Sequence, residues 1–308
     1  MNQTNTLSLR LPSGEIRTAN VKSVAIDGCI GAGKSTLVGL ADTLPLFTED
    51  ESMEHVDNES ETLDGGDSET LDDGGNSIIK ELNNSIEIKD FVSPSTEIVG
   101  VFEPSDEWKR SGMLKLFYGD IPRNSFLFQM NAFDSRLKRF EKRIEDFKNL
   151  VESGKIECPE NVIFFMERSI FTDPIFVEVL FESGGITQLE RNVYYSFHTR
   201  WVHLLPFIPT HFLFLNYTIE KLMTQVRERG RDEEKDLTPD YQSQLSEMTW
   251  MFYEWISGSE NSPREYKNFP IWKEPLEKSS VKIVNNDYDL FEHESRNELL
   301  RLIGDWLS

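Results

Sequence analysis

A glycine-rich turn between an apolar run and a helical stretch leaves few folds open to this chain. Residues 28–35 fit the pattern G-x-x-x-x-G-K-[ST] and follow the apolar run 21–26. Glycines let successive backbone N–H groups converge on phosphate oxygens, and the start of the next helix adds a positive end. The pattern predicts a nucleotide-binding turn, with Lys34 on the β- and γ-phosphates and Ser35 as a ligand of Mg²⁺. The residues predicted to bind the nucleotide are Gly28, Cys29, Ile30, Gly31, Ala32, Gly33, Lys34, Ser35 and Thr36.

The segments around this turn, called the P-loop below (residues 28–35), alternate between two types. Short apolar runs rich in β-branched or aromatic residues predict strands at 21–26, 98–102, 162–166, 212–215 and 281–284. Longer stretches with helical spacing occur at 35–44, 121–151, 187–205, 219–229, 239–256 and 290–307. This alternation predicts an α/β three-layer fold with a five-stranded parallel sheet flanked by helices. Ligands of such a fold bind at the carboxyl ends of the strands.

The acidic residues are unevenly distributed. The chain has 54 Asp and Glu against 32 Lys and Arg, a net charge of -22, and 16 of the acids lie within residues 48–97. This region contains the near repeats SETLDGG and SETLDDGG and has no sustained apolar period. We therefore predict a disordered acidic insertion at about residues 48–84, because such a composition cannot offset the entropy of ordering. The rest divides into a flexible segment at residues 1–20 and one domain over residues 21–308.

Charge and cysteine usage exclude several classes of function. The strong net negative charge argues against a nucleic acid partner, because phosphate binding depends on Lys and Arg. No run of about 18 apolar residues occurs, so the sequence predicts no membrane span. The only cysteines, Cys29 and Cys158, lie far from each other and from any Cys/His cluster, which argues against a disulfide framework or structural zinc. These features predict a cytoplasmic protein.

Charged residues directly follow the second and third predicted strands. Glu103-Pro104 follows residues 98–102, and Glu167-Arg168-Ser169 follows residues 162–166. At this edge of the sheet Glu103 can accept a proton from an attacking hydroxyl, or it can cap the next helix. Arg168 can offset the charge of a transferring phosphoryl group and Glu167 can hold a metal-bound water, or the two can form a surface ion pair. A GTPase would need an Asn-Lys-x-Asp guanine reader, which the sequence lacks, so small-molecule phosphoryl transfer is favoured.

Six segments in order resemble the deoxyribonucleoside kinases, in particular the deoxycytidine and deoxyguanosine kinase branch. They are IDGCIGAGKST, EPSDEW, LKLFYGD, FLFQMNAFDSR, ERSIFTD and RERGRDEE, and the resemblance covers residues 21–255 apart from the acidic insertion. It implies a P-loop kinase fold with an arginine-bearing lid, and transfer of the γ-phosphate of Mg²⁺-ATP to the 5′-hydroxyl of a deoxynucleoside. It also implies a homodimer.

The resemblance implies a role for each matching residue. Glu103 corresponds to the general base, and Arg168 to the arginine that steadies both this base and the phosphoryl group. Tyr118 and Glu234 correspond to the pair that holds the 3′-hydroxyl. The base pocket would contain Trp108 as a wall and Gln129 as the amide that reads the base edge. Arg136 and Asp173 mark the deoxycytidine and deoxyguanosine kinase branch and imply a preference for deoxycytidine or purine deoxynucleosides, although Arg136 could also be a helix-surface charge.

The lid segment departs from the family pattern at one position. The resemblance implies that Arg229 and Arg231 bind the donor phosphates, but Gln225 stands where the family usually has a first arginine. This substitution predicts weaker donor binding or slower turnover. Two further interpretations stay open, which are a nucleoside monophosphate kinase of the thymidylate kinase type and a catalytically silent, kinase-like structural subunit.

Overall fold

The computed structural model describes residues 5–44, 87–202, 204–205, 207–235, 237–258, 276, 278–285, 288–290 and 292–308. The predicted acidic insertion at about residues 48–84 lies outside these ranges. Among the described residues, no helix is long and apolar enough to cross a membrane.

A mixed sheet forms the centre of the fold. Its strands are β1 Thr6–Arg10, β2 Ile16–Gly28, β3 Thr96–Val101, β4 Asn161–Glu167, β5 His211–Asn216 and β6 Ser280–Asn285. Strands β3, β4, β2, β5 and β6 lie side by side in this order, and every neighbouring pair is parallel. The predicted five-stranded parallel sheet is thus confirmed, and β1 adds an antiparallel partner to β2.

Helices pack against this sheet. They are α1 Lys34–Ala41, α2 Ser105–Arg110, α3 Met113–Gly119, α4 Ile121–Glu152, α5 Asp173–Glu182, α6 Gln188–Val202, α7 Ile219–Arg229, α8 Pro239–Ile256 and α9 His293–Leu307, with 3₁₀ turns at Ile88–Phe91 and Asp232–Glu234. The bounds of α7 and α8 match the predicted ones. Helices α2, α3 and α5 were not predicted, because they are too short to show a sustained apolar period.

The strands are buried on both faces of the sheet because helices cover both faces. In β2 the successive residues Val24, Ala25 and Ile26 are all fully buried, as expected of a parallel strand with no solvent-facing side. On α4, buried apolar residues recur at intervals of three and four, which turns one stripe of the helix towards the core. This stripe contains Phe133, Leu137, Phe140, Ile144 and Phe147.

The N-terminal residues differ from the prediction. Residues 6–20 form an ordered hairpin of β1 with the first part of β2, so the prediction of a flexible segment over residues 1–20 is wrong for the part that the structure describes. Leu7 and Leu9 alternate with exposed residues and are buried, and β1 packs against α4. Gly14, at φ +83°, sits in the connecting turn, whose Leu11 N–H donates to Glu15 O at 2.8 Å. The period-two apolar pattern is the sequence signal of this hairpin.

Candidate active site

The P-loop joins β2 to α1 in a backbone path that requires glycine. Gly31 and Gly33 have φ values of +89° and +79°, in the left-handed region that favours glycine. A Cβ atom on Gly31 would lie 2.8 Å from the carbonyl oxygen of Leu222, and one on Gly28 would lie 2.7 Å from that of Leu215. The loop therefore fits closely against the carboxyl end of β5 and against α7, and side chains at these positions would force it away.

Lys34 lies at the first position of α1 with its side chain folded back over the loop. Its Nζ donates a hydrogen bond to Cys29 O at 2.9 Å, and the residue is buried. Burial, together with the positive charge of Arg168, lowers the pKa of Lys34 from 10.5 to about 8, and nearby carboxylates only partly oppose this shift. A buried cation at the convergence of backbone N–H groups is suited to bind phosphate oxygens.

Glu167, the last residue of β4, connects the P-loop to the end of β3. Its Oε1 accepts a hydrogen bond from Ser35 Oγ at 2.7 Å, and its Oε2 accepts one from the Glu103 backbone N–H at 3.2 Å. The predicted metal ligands Ser35 and Glu167 are therefore in contact. Among the described residues, no group of three or more His, Cys, Asp and Glu side chains has the arrangement of a metal site.

The Glu103 side chain lies between two arginines. Its Oε1 accepts a hydrogen bond from Arg136 Nη2 and lies 3.4 Å from Arg168 Nε. Burial alone would raise the pKa of Glu103, but the charges of Arg136, Arg168 and Lys34 outweigh it and lower the pKa from 4.5 to about 2. The carboxylate is therefore ionised at neutral pH. Of the two interpretations of Glu103, the structure supports a charged group within the site rather than a helix cap.

Arg136 is an internal residue and not a helix-surface charge. Its side chain is 10% exposed and also contacts Asp173 at the start of α5 through Nη1. The guanidinium carbon lies 5.1 Å from the centroid of the Trp108 ring, whose Nε1 donates to Ser135 Oγ at 2.8 Å. Burial raises the pKa of Asp173 to about 6, although Arg136 opposes the shift.

Aromatic residues extend from Trp108 along α3 and α4. Trp108 meets Phe128 edge to face at 5.4 Å between centroids, and Phe128 stacks on Phe117 at 4.5 Å. Gln129 follows Phe128 and is buried in the same region. Tyr118 lies at the end of α3, and burial together with its neighbours Tyr241 and Glu234 raises the pKa of its hydroxyl. Three residues predicted for the nucleoside pocket therefore lie on three successive helices, with Trp108 on α2, Tyr118 on α3 and Gln129 on α4.

The two lid arginines both contact Glu234. Arg229 Nη2 donates to Glu234 Oε2 at 2.6 Å, and Arg231 Nη1 donates to Glu234 Oε1 at 3.4 Å. The two arginines predicted for the donor phosphates thus pair with the carboxylate predicted for the 3′-hydroxyl. Gln225 lies on α7, four residues before Arg229, in a groove that also contains Lys221, and its Oε1 is buried without a hydrogen-bond partner.

The family relationship follows from a comparison with known proteins. A family model described as deoxynucleoside kinase matches residues 87–307, which is most of the chain. This protein belongs to the deoxynucleoside kinase family. The matched range contains every predicted catalytic and nucleoside-binding residue except Lys34.

Individual deoxynucleoside kinases are similar over shorter stretches. The chain is 29% identical over 159 residues to deoxycytidine kinase 2 of Gallus gallus, covering 49% of this chain and 56% of the relative. It is 28% identical over 160 residues to deoxycytidine kinase 1 of Xenopus laevis, covering 49% of this chain and 57% of the relative. The chain thus spans about half the length of the curated relatives it matches.

A solved deoxynucleoside kinase structure supports the fold. The structure of deoxyadenosine kinase from M. mycoides with bound dATP superposes with a TM-score of 0.51 at 18% identity, covering 93% of this chain and all of that one. At this identity the similarity concerns the arrangement of sheet and helices.

The sequence analysis missed three side chains next to this candidate site. Asp27 directly precedes the P-loop and lies 3.6 Å from Arg168, with Tyr253 donating to its other oxygen. Gln242 on α8 donates to the P-loop carbonyl of Ile30 at 2.6 Å. An acidic residue at the end of an otherwise apolar strand was a signal for Asp27. No local pattern distinguishes Tyr253 or Gln242, because they reach the site only through the packing of α8.

Proposed function

We propose that the protein is a deoxyribonucleoside kinase that transfers the γ-phosphate of ATP to the 5′-hydroxyl of a deoxynucleoside. One observation carries this proposal. Glu167 accepts hydrogen bonds from both Ser35 of the P-loop and the backbone of Glu103, so the phosphate-binding turn and a second carboxylate share one site. A donor phosphate and an acceptor hydroxyl held at these two groups would lie next to each other, which is the main requirement of phosphoryl transfer.

Each charged residue has a role in this proposal. Glu103, ionised at neutral pH, accepts the proton of the 5′-hydroxyl, and Lys34 binds the β- and γ-phosphates. Arg168 offsets the charge that spreads over the transferred phosphoryl group. Arg229 and Arg231 leave Glu234 to bind the donor phosphates when the lid closes, which excludes water from the site. Glu234 and Tyr118 then hold the 3′-hydroxyl.

The donor set at the P-loop fits Mg²⁺. A hydroxyl and a carboxylate oxygen lie 2.7 Å apart at Ser35 and Glu167, and Mg²⁺ is usually held by one or two such oxygens together with substrate phosphates and water. Ser35 would bind the ion directly and Glu167 would hold it through water. When bound, the ion neutralises charge on the phosphates.

The preferred acceptor is deoxycytidine or a purine deoxynucleoside. Arg136 and Asp173 form a buried ion pair beside Trp108, where they can orient polar groups towards the exocyclic amine or carbonyl of a base. Trp108 forms a wall of the base pocket, and Gln129 reads the base edge. The curated relatives named above are deoxycytidine kinases, which favours the same substrate class.

A transfer assay tests this function directly. Purified protein is incubated with γ-labelled ATP, Mg²⁺ and each of the four deoxynucleosides, and the labelled 5′-monophosphates are separated. We expect the highest kcat/KM with deoxycytidine or a purine deoxynucleoside. We expect Glu103→Gln to lower kcat by roughly 10²- to 10⁴-fold, the range of general base catalysis, with the fold retained by circular dichroism.

The same assay separates the other interpretations. Transfer to deoxynucleoside monophosphates but not to deoxynucleosides would indicate a nucleoside monophosphate kinase. Absence of transfer to any acceptor would indicate a structural subunit. A clear preference for thymidine would contradict the proposed specificity while leaving the kinase activity intact.

We further propose that the protein is a cytoplasmic homodimer. Cys29 and Cys158 are both free thiols, as expected in a reducing compartment. Helix α6 exposes Leu189, Val193 and Phe197 at intervals of four, which forms an apolar row of the kind that subunit interfaces cover.

A further inference from the structure

Arg168 lies between two carboxylates that come from the strands on either side of it. Strand β4 lies between β3 and β2. Arg168 directly follows β4, Glu103 follows β3, and Asp27 lies at the end of β2. Arg168 Nε lies 3.4 Å from Glu103 Oε1, and its Nη1 lies 3.6 Å from Asp27 Oδ1. The ring of Phe176 covers the guanidinium, 4.5 Å from its carbon. Because a guanidinium is planar, these contacts fix its orientation as well as its position.

The backbone of Arg168 supports the same arrangement. With φ of +63°, Arg168 is the only non-glycine residue with positive φ in the described part of the chain. Its N–H donates to Ile26 O at 2.9 Å, next to Asp27. A residue with a side chain adopts this conformation at a cost, and such strain persists where surrounding contacts enforce it. The strained turn brings the side chain back across the end of β2.

The Asp27 side chain is buried and contacts Tyr253 as well as Arg168. It is 1% exposed, and burial raises the pKa of its carboxyl while Arg168 opposes that shift. The Tyr253 hydroxyl donates to Asp27 Oδ2 at 3.3 Å, which leaves Oδ1 facing Arg168. Tyr253 is fully buried and stacks on Phe214 of β5 with centroids 4.6 Å apart. None of the roles assigned above uses Asp27 or Tyr253.

We propose that Asp27, oriented by Tyr253, is a positioning residue that holds the Arg168 guanidinium for phosphoryl transfer. This inference rests on the proposed kinase function. Asp173, Arg136, Glu103, Arg168 and Asp27 form a continuous series of alternating charges. Without the Asp27 charge, Glu103 would be the remaining carboxylate partner of Arg168 among the described residues. It would then turn towards the oxygen that accepts the substrate proton, instead of towards the phosphoryl group.

The test compares isosteric variants in the full-length enzyme. We expect Asp27→Asn to lower kcat by roughly 10- to 100-fold, the usual effect of losing a partner that orients a reacting group. The KM for the deoxynucleoside should stay close to the wild-type value, since Asp27 contacts Arg168 and Tyr253, and neither is proposed to touch the base or the 3′-hydroxyl. Tyr253→Phe should lower kcat in the same direction by a smaller factor, and it keeps the test decisive if Asp27→Asn fails to fold.

Asp42→Asn is the matched control. Asp42 is also an aspartate with a side chain only 5% exposed that pairs with an arginine, Arg143, at 2.7 Å, but it follows α1 and lies outside the site. We expect its kcat to equal that of the wild type, even if its melting temperature falls as far as that of Asp27→Asn.

The split between kcat and KM is the readout that a purely structural role would not produce. Asp27→Asn should lower kcat while the KM for the deoxynucleoside stays close to that of the wild type. Asp42→Asn should leave both constants unchanged.

Different results would overturn different claims. A wild-type protein without transfer activity would overturn the proposed function and this inference with it. An active wild type, with Asp27→Asn and Tyr253→Phe matching Asp42→Asn in kcat and in KM, would overturn the positioning role alone.

Discussion

Arg136 connects two parts of the site that the sequence presents as separate. It contacts Asp173, which the family resemblance relates to the choice of base, and also Glu103, the proposed general base. The guanidinium is nearly buried, so both ion pairs act in a medium that screens charge weakly. A change in the contacts of Arg136 with Asp173 would therefore affect the carboxylate of Glu103, the proposed general base.

This contact predicts a change in pH dependence. The pKa of Glu103 is about 2 in the folded enzyme, below its ordinary 4.5, so the carboxylate stays ionised as the pH falls to mildly acidic values. Arg136→Gln removes the largest charge that lowers this pKa, which should then rise. Only the ionised form accepts a proton. The acid limb of kcat/KM for the deoxynucleoside, measured between pH 4 and pH 7, should therefore move to higher pH in Arg136→Gln.

The control for this prediction is Arg139→Gln. Arg139 lies on the same helix and pairs with Asp106 at 3.0 Å, away from Glu103. Superimposable pH profiles for the two variants would show that Arg136 does not govern the ionisation of Glu103.

At the scale of elements, the proposed lid and the proposed nucleoside pocket share one residue, Glu234. Glu234, in the 3₁₀ turn after α7, accepts hydrogen bonds from Arg229 and Arg231. The same turn packs against α3, which carries Tyr118. A carboxylate cannot serve two arginines and a sugar hydroxyl equally well. In the proposed function, the arginines and the 3′-hydroxyl would therefore compete for Glu234 until the arginines turn to the donor phosphates.

Opposite changes in two Michaelis constants test this competition. Glu234→Gln should raise the KM for the deoxynucleoside by about tenfold, the effect of weakening one hydrogen bond to a charged group. It should also lower the KM for ATP, because Arg229 and Arg231 lose their carboxylate partner. Arg229→Gln should instead raise the KM for ATP. Equal increases of both constants in Glu234→Gln would contradict this account.

At the scale of the whole molecule, the apolar row on α6 is the main feature that a monomer leaves unexplained. Leu189 is 74% exposed and Phe197 is 49% exposed, on a helix that also packs against the core through Tyr194, His198 and Val202. Large exposed apolar side chains in a row favour association with another surface. The proposed homodimer would cover them.

Light scattering after size-exclusion chromatography tests the homodimer. The wild type should have twice the mass of its 35.7 kDa chain. Phe197→Glu should shift it to the monomer, because burying an unpaired charge is unfavourable. Gln188→Glu adds the same charge at an exposed position outside the apolar row and should remain dimeric. A monomeric wild type would rule out the proposal.

The sequence by itself determined the type of fold and the main chemical groups. Alternating apolar runs and helical stretches predicted the parallel sheet, and the P-loop pattern located Lys34 and Ser35, because these signals depend on neighbouring residues. It also identified Glu103 and Arg168 as charged residues that follow strands. The hairpin at residues 6–20 follows the same principle, since the alternation of Leu7 and Leu9 with exposed residues is a local signal.

Only the tertiary structure decided which of these groups meet. Asp27, Glu103 and Arg168 come together because β2, β3 and β4 end side by side, and strand order is a long-range property of the chain. The double pairing of Arg136 depends on how α4 crosses the strand ends, and the support of Asp27 by Tyr253 depends on how α8 packs. Contacts between residues distant in sequence arise from the packing of whole elements, and no local spacing encodes them.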